Sequence, residues 1–243
     1  MREYVDRFYR RWMQASGLVS CRVTVKESDL YIWASQDVAA EAYASLRKQR
    51  RELEDFIALQ PYFAETYLPY EVPVDAPEIV RLMATAGERV GVGPMAAVAG
   101  AVAEMVGKDL LPFSSEVVVE NGGDIWLCSS TERRIGIFAG ESPLSGRLAL
   151  VIPPTQPGGL GICTSSASVG PSYSAGVADA ALVVAESAAL ADAAATVLGN
   201  FAKTPNDIEK ALGFVAGFEQ VAGCLLIVGD RLGVKGELRL EPV

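Results

Sequence analysis

Cys21-Arg22-Val23-Thr24-Val25 alternates apolar and polar positions, and residues 30–33 are rich in β-formers. The polar run 26–29 between them predicts a hairpin. From 38 to 59 the apolar positions Ala39, Tyr43, Leu46, Leu53 and Ile57 recur at steps of three or four residues, or sums of them. The charged block 47–51 falls mainly on the opposite face, so the segment predicts a long amphipathic helix ended by Pro61. A polar, Pro-rich connector runs from 61 to 73. Asp75-Ala76-Pro77-Glu78 then reads as a helix start, with Asp75 as the cap and Pro77 in the first turn, and that helix is expected to reach about Gly87. The Gly91-Val92-Gly93-Pro94 turn launches a second, Ala-rich helix over 95–106.

Short β segments follow at 116–120, 125–128, 134–138 and 147–152. Residues 155–171 read as a Gly/Ser/Thr-rich loop and 177–185 as a buried strand. Ser187 caps a helix expected over 188–198. A short helix near 205–212 precedes a final hairpin, 224–228 and 234–240. Helices and strands mix without a regular βαβ alternation, which places the chain in the α+β class. The connector near 60–75 is short and carries Tyr62, Phe63, Tyr67 and Tyr70, so residues 1–243 are expected to form a single domain.

Composition narrows the chemistry. The chain has 243 residues, half of them hydrophobic and 21% charged, which is globular usage. That length can bury a core without disulfide or metal staples. It contains no histidine. This excludes Ser–His and Cys–His nucleophile pairs, His-ligated zinc and an imidazole switch. Acid–base work falls to Asp, Glu, Lys, Tyr or Cys, and an oxygen-ligated site for a hard metal stays open. The net charge of −9 repels phosphate backbones, so no nucleic-acid partner is expected. Residues 1–7 lack the apolar run of a signal peptide, and neither apolar stretch, 90–106 or 180–198, is uninterrupted for about 18 residues. The expectation is a soluble cytoplasmic protein without a membrane partner. Cys21, Cys128, Cys163 and Cys224 are far apart and form no CxxC pair, so each reads first as a small buried residue in a reducing compartment.

Four segments carry candidate chemistry. Gly91-x-Gly93-x-x-Ala96 imitates a dinucleotide fingerprint, but a helix precedes it where a strand is required. An anion-facing turn or plain helix–turn–helix packing are the alternatives. Asn121-Gly122-Gly123-Asp124 suits a type I′ hairpin turn. Its glycines would also admit a ligand closely, with Asp124 accepting from a hydroxyl or amine. Gly161-Ile162-Cys163-Thr164-Ser165-Ser166 offers hydroxyls to phosphate oxygens, and Cys163 would be a nucleophile if amide dipoles lowered its pKa. Otherwise it is a surface loop with a packed cysteine. Asp192 and Thr196, one helical turn apart, are oxygen ligands suited to Mg²⁺, or a solvated helix face.

Taken in order, Gly93-Pro94-Met95-Ala96-Ala97-Val98-Ala99-Gly100, Asn121-Gly122-Gly123-Asp124-Ile125, Thr164-Ser165-Ser166 and Ala191-Asp192-Ala193-Ala194-Ala195-Thr196 resemble the flavin transferases of the ApbE type. Those enzymes have a Gly-Gly-Ile-Ala-Lys-Gly turn, an Asn-x-Gly-Gly-Asp turn, a Thr-Ser-Gly loop and an Ala-Asp-Ala-x-x-Thr helix. A signal-less sister family without an assigned activity resembles the chain more closely and over nearly its whole length. It shares the longer Gly-Val-Gly-Pro-Met-Ala-x-Val-Ala-Gly and Val-Glu-Asn-Gly-Gly-Asp strings.

The resemblance implies a T-fold-related α+β architecture of mixed antiparallel sheets packed with helices. It also implies chemistry, since the transferases bind FAD and Mg²⁺ and move FMN onto a protein Thr or Ser, or hydrolyse FAD. Carried over, Asp192, Thr196 and the carbonyl of Ala96 would hold the metal. Gly93, Pro94, Met95, Asn121, Gly122, Gly123, Thr164, Ser165 and Ser166 would line the ligand cleft, and Asp124 and Cys163 would be the candidate reacting groups. Three positions depart: Ala97 replaces the lysine of the first motif, Val102 replaces an aspartate, and the His-Ile-x-Asp-Pro segment has no counterpart near 172–176. The expected function is therefore binding of a nucleotide-like or phosphorylated ligand with Mg²⁺, a flavin among the candidates, without authentic FMN transfer. A thiol-dependent sulfur-handling protein using Cys163 and a non-catalytic partner-binding scaffold are the alternatives. The partners foreseen are a small molecule and a second copy of the chain, as a homodimer.

Overall fold

A computed structural model describes residues 17–167 and 176–243. The expectations for residues 1–7, and for most of 172–176, lie outside them. The first hairpin forms as β1 (Val19–Val25) and β2 (Ser28–Ala34), closed by a two-residue turn in which Lys26 takes φ 51°. The long helix α1 (Ala39–Leu59) ends before Pro61. Its buried face differs from the apolar pattern. Tyr43 is exposed, while Ser45 and Gln49 face inward because both donate to Asp109 Oδ2, at 2.7 and 3.0 Å.

The connector holds a one-turn helix, α2 (Tyr62–Glu65), which buries Phe63. Helix α3 (Glu78–Val90) starts one residue after Pro77, so Asp75 does not cap it. It runs past Gly87 to Gly91, whose φ of 77° provides the left-handed stop. A 3-10 turn, Pro94–Ala97, leads into α4 (Val98–Leu110).

Strands β3 (Val117–Asn121), β4 (Asp124–Cys128), β5 (Arg133–Gly136) and β6 (Leu148–Ile152) match the expected segments within two residues. The expected loop over 155–171 contains a strand, β7 (Leu160–Ser165), a correction to the sequence reading. Strand β8 (Ala180–Ala185) leads to α5 (Ala188–Phe201), where Ser187 caps by accepting from Leu190 N. A 3-10 turn and α6 (Ile208–Val215) follow, then β9 (Val221–Val228), β10 (Arg231–Gly236) and β11 (Arg239–Pro242).

The strands form an eight-stranded sheet, β1-β2-β3-β4-β7-β8-β9-β10, and a three-stranded sheet, β11-β6-β5, with every pairing antiparallel. The period-two alternation then divides the core. Ile32, Val119, Trp126, Cys163, Val183 and Leu226 point to the helices. Trp33, Val118, Ile125, Ile162, Leu182 and Leu225 point to the smaller sheet, meeting Ile135 and Leu150. The central strands of the large sheet are thus buried on both faces, each face with its own core, while the edge strands β1 and β10 are largely exposed.

Candidate functional site

Two helix N-termini meet where α4 and α5 cross, and each is capped by an acid from the other helix. Asp192 on α5 accepts from Gly100 N at 2.9 Å and from Ala99 N, in the first turn of α4. Glu104 on α4 accepts from Ser187 Oγ and Ala188 N, both at 2.7 Å, at the start of α5. A carboxylate at a helix N-terminus satisfies orphan donors and complements the dipole. The crossing requires glycine at position 100, because a Cβ there would lie 2.2 Å from the carbonyl oxygen of Ala188.

On the helix face of the sheet, Asp124 from β4 and Cys163 from β7 stand beside Asp192. Burial pushes the Asp192 carboxyl up to about 7, against the hydrogen bonds from Gly100 and Ala99. Burial, then the charge of Asp192, raises Asp124 well above the carboxylate range, although Thr164 N donates to it at 3.3 Å. Two carboxylates held this close bind a proton or a cation more readily than either would in water. The Cys163 thiol donates to Ala188 O at 3.3 Å and is fully buried. Burial and the charges of Asp124 and Asp192 raise it well above an ordinary thiol. The condition set for a nucleophilic Cys163, a pKa lowered by amide dipoles, is therefore not met.

The other candidates distribute by strand parity. Asn121 joins the helix face and donates to Ala99 O at 3.0 Å. Ser165 is also on that side, near Gly199. Thr196 lies one turn beyond Asp192, half-buried. Gly93 is packed against Thr66 O, where a Cβ would come within 2.0 Å, so the turn serves helix packing and no dinucleotide fingerprint forms. Pro94 is buried, Met95 packs on the helix-side core, and the turn carrying Ala96 lies against α5. Gly122 and Gly123 form the two-residue hairpin turn, with φ 71° and 107°.

Thr164, Ser166, Gly122 and Gly123 instead line a cleft on the opposite face, between the two sheets. The space between its walls, open solvent at the mouth included, comes to about 760 Å³. Its walls include Trp33, Ile125, Ile162 and Leu182 from the large sheet and Ile135 and Ile137 from the small one. Glu120 lies at its polar end, where Oε1 accepts from Gly123 N at 2.9 Å. The β3–β4 pairing ends at Asn121 and Asp124, and β7 continues past it. The carboxylate pair and the cleft therefore lie on either side of one hairpin tip. The sequence reading did not single out Glu120. Its signal was a lone acid ending the Val117-Val118-Val119 run.

Among the described residues, no group of three or more Asp, Glu or Cys side chains is placed to hold a metal ion. A cation site here would need the hydroxyl of Thr196 or a backbone carbonyl as well. At the positions where the transferases carry lysine and aspartate, Ala97 and Val102 are buried in the helix-side core.

The sequence profile described as AbpE bacteria matches residues 10–213. The chain belongs to that ApbE-like family. Its relatives include a UPF0280 protein of Methanocella arvoryzae, 42% identical over 220 residues that make up 90% of this chain and 89% of the relative. A UPF0280 protein of Methanothrix thermoacetophila is 45% identical over 84% of this chain and 86% of its own. This ApbE-like chain also superimposes on the flavin transferase ApbE from Vibrio cholerae with a TM-score of 0.61 and 16% identity, covering 90% of this chain and 96% of that one. The ApbE protein from Thermotoga maritima gives 0.59 at 13% identity, over 90% and 97%. At these identities the likeness carries the fold, which agrees with the α+β, ApbE-like architecture described above.

Proposed function

We propose that this cytoplasmic protein binds a nucleotide-like or phosphorylated ligand across the hairpin tip, with Mg²⁺ beside it, and does not transfer FMN. The observation that carries the reading is the juxtaposition of a solvent-open apolar cleft with a carboxylate pair, buried Asp124 and half-buried Asp192, on either side of the Gly122–Gly123 turn. The donor types fit a hard cation: the carboxylates of Asp192 and Asp124, the Thr196 hydroxyl and the Ala96 carbonyl are all oxygens. Asp192 would hold the metal with Thr196 and Ala96. A bound Mg²⁺ would neutralise phosphate charge and polarise its oxygens. The apolar walls suit a ring and the two glycines a close backbone approach. Against FMN transfer stand Ala97 and Val102, which put buried methyl groups where the transferases have a cation and an acid.

Calorimetry with MgCl₂ and FAD, ADP or FMN tests the proposal. Heat with at least one nucleotide, lost in Asp192→Ala, is expected. Absence of heat with all three refutes it. Covalent flavin on a Ser/Thr peptide after incubation with FAD and Mg²⁺, seen by mass spectrometry, would overturn the exclusion of transfer.

A second reading, a partner-binding scaffold or homodimer, has support in the exposure of Leu59, Tyr62, Tyr67, Leu68 and Val74 along the connector. Sedimentation velocity tests it: a dimer lost on Tyr67→Ser and Leu68→Ser substitution would favour it, and a monomer at all concentrations would remove the homodimer.

A further inference from the structure

Helix α3 sets Glu78, Arg81, Leu82, Thr85, Ala86 and Arg89 along one stripe, at alternating steps of three residues and one. The stripe is one wall of a groove. Lys108, in the last turn of α4, and Ser187 and Leu190, at the start of α5, complete the lining. Its floor is apolar, with Ala86 and Leu190 buried and Leu82 half-buried. The chain as a whole has 30 acidic residues against 21 basic ones, yet three cations and one carboxylate line this groove. That carboxylate, Glu78, stands in the first turn of α3, where it complements the dipole of its own helix.

Local pairing leaves positive charge over. Among the described residues Arg81 has neither a hydrogen-bond nor an ion-pair partner. Arg89 donates through Nη1 to Gln220 Oε1, a neutral amide, which orients the guanidinium without neutralising it. Lys108 Nζ meets Glu104 Oε1 at 2.6 Å, and the other oxygen of Glu104 accepts from Ser187 Oγ and Ala188 N. The first donors of α5 are thereby satisfied from within. What draws an anion to the groove is therefore side-chain charge, not the helix end.

Like charges on one stripe repel, and an anion between them relieves the repulsion. A guanidinium offers a fork of N–H donors that matches two oxygens of an oxyanion. Arg81 and Arg89 are two turns apart, about 12 Å along the axis, a span that two long side chains reaching towards each other can cover. The Thr85 hydroxyl stands between them on the stripe and adds a neutral donor.

We propose that this groove between α3 and α5 is a phosphate site. It takes inorganic phosphate or a phosphate monoester between Arg81 and Arg89, with Lys108 adding charge and the apolar floor meeting the body of an ester. None of the candidate residues of the hairpin-tip site lines it, so it needs no Mg²⁺ and stands independently of the function proposed above.

Calorimetry on the full chain tests it, in EDTA at low ionic strength, with inorganic phosphate, phenyl phosphate and acetate as probes. At least one phosphate is expected to bind with a Kd below about 1 mM. Added NaCl should weaken the binding. The double variant Arg81→Gln, Arg89→Gln should weaken it about tenfold or more, because charge-assisted hydrogen bonds are lost. Tighter binding of phenyl phosphate identifies an ester as the ligand, and equal affinity identifies free phosphate. Acetate binding as tightly as phosphate overturns the assignment, and so does an affinity that the double variant leaves intact. Absence of heat, or binding only above about 10 mM, marks an adventitious ion only and also overturns it. Replacing EDTA with MgCl₂ should not tighten binding; affinity that depends on Mg²⁺ would place the phosphate at the carboxylate pair and overturn this site. Should the double variant not fold, Arg81→Gln alone decides, since Arg81 has no partner to lose.

Discussion

Gly100→Ala tests the claim that the α4–α5 crossing holds Asp192 in place. The new Cβ would meet Ala188 O at 2.2 Å, Ala188 C at 2.7 Å and Asp192 Cβ at 2.9 Å. Two of these atoms are backbone, so the helices must part. Overpacking of this kind costs about 1–3 kcal/mol. Separation also weakens the bond from Gly100 N to Asp192, a charge-assisted hydrogen bond worth about 1.5–3 kcal/mol. Alanine's better helix propensity offsets about 1 kcal/mol. The sum is a destabilisation of about 1.5–5 kcal/mol, read from urea denaturation followed by circular dichroism. Gly158→Ala is the control, since a Cβ at 158 meets nothing within 4 Å. A Gly100→Ala protein within about 0.5 kcal/mol of the parent, like an ordinary surface substitution, would refute the crossing argument.

Cys163 should resist iodoacetamide in the native protein, because it is buried and its thiol is raised, while the half-buried Cys128 labels faster. Peptide mass spectrometry of a labelling time course reads this, and equal native rates at the two sites would contradict it. Glu116 should shape the acid limb of stability. Burial raises its carboxyl, but the Ser129 and Ser130 hydroxyls and Arg133 outweigh burial and bring it down to about 2. A lowered folded pKa contributes stability above the unfolded value near 4.5, lost as pH falls towards 2, and roughly 3 kcal/mol in all. Glu116→Gln should therefore cost stability at pH 7 and flatten the denaturation midpoint between pH 4.5 and 2; an unchanged acid limb would count against it.

Long elements were legible because their own residues dictate them. α1 follows from its apolar spacing, and α5 starts where Ser187 caps it. β7 was hidden because Gly161 reads as a loop residue. It is glycine for packing: a Cβ there would lie 2.4 Å from Ala188 Cα, where α5 begins against the strand. For the site, the motifs named candidate segments, and the resemblance pointed to the fold observed. What they could not supply was the face each side chain takes. That depends on register, and β7 pairing with Ile125 opposite Ile162 sends Cys163 to the helices and Thr164 to the cleft. Glu120 escaped notice for a related reason, since a strand buried on both faces has no polar alternation to violate.

The carboxylate pair offers a way to separate function from architecture. If Asp124 and Asp192 served stability alone, replacing either would weaken the fold at every pH. Their raised pKa values argue the reverse for the charge of Asp124. A raised folded pKa means that stability is fully present below the ordinary carboxylate value and is lost as pH rises through the folded one, about 7 for Asp192. Burial dominates for both groups, and the charge of Asp192 adds to the rise at Asp124. Asp124→Asn keeps an oxygen for Thr164 N, at 3.3 Å in the parent, while removing one of the two like charges. The variant should match the parent at about pH 3.5, below the ordinary carboxylate value of 3.8, and exceed it in urea midpoint at pH 8, once pH has risen through the raised value of Asp192. The same substitution should weaken any Mg²⁺ response of the melting temperature, because a site that costs stability when empty recovers it when filled. A variant less stable than the parent at pH 8 would show that the Asp124 carboxylate is structural, and the pair would lose its standing as a cation site.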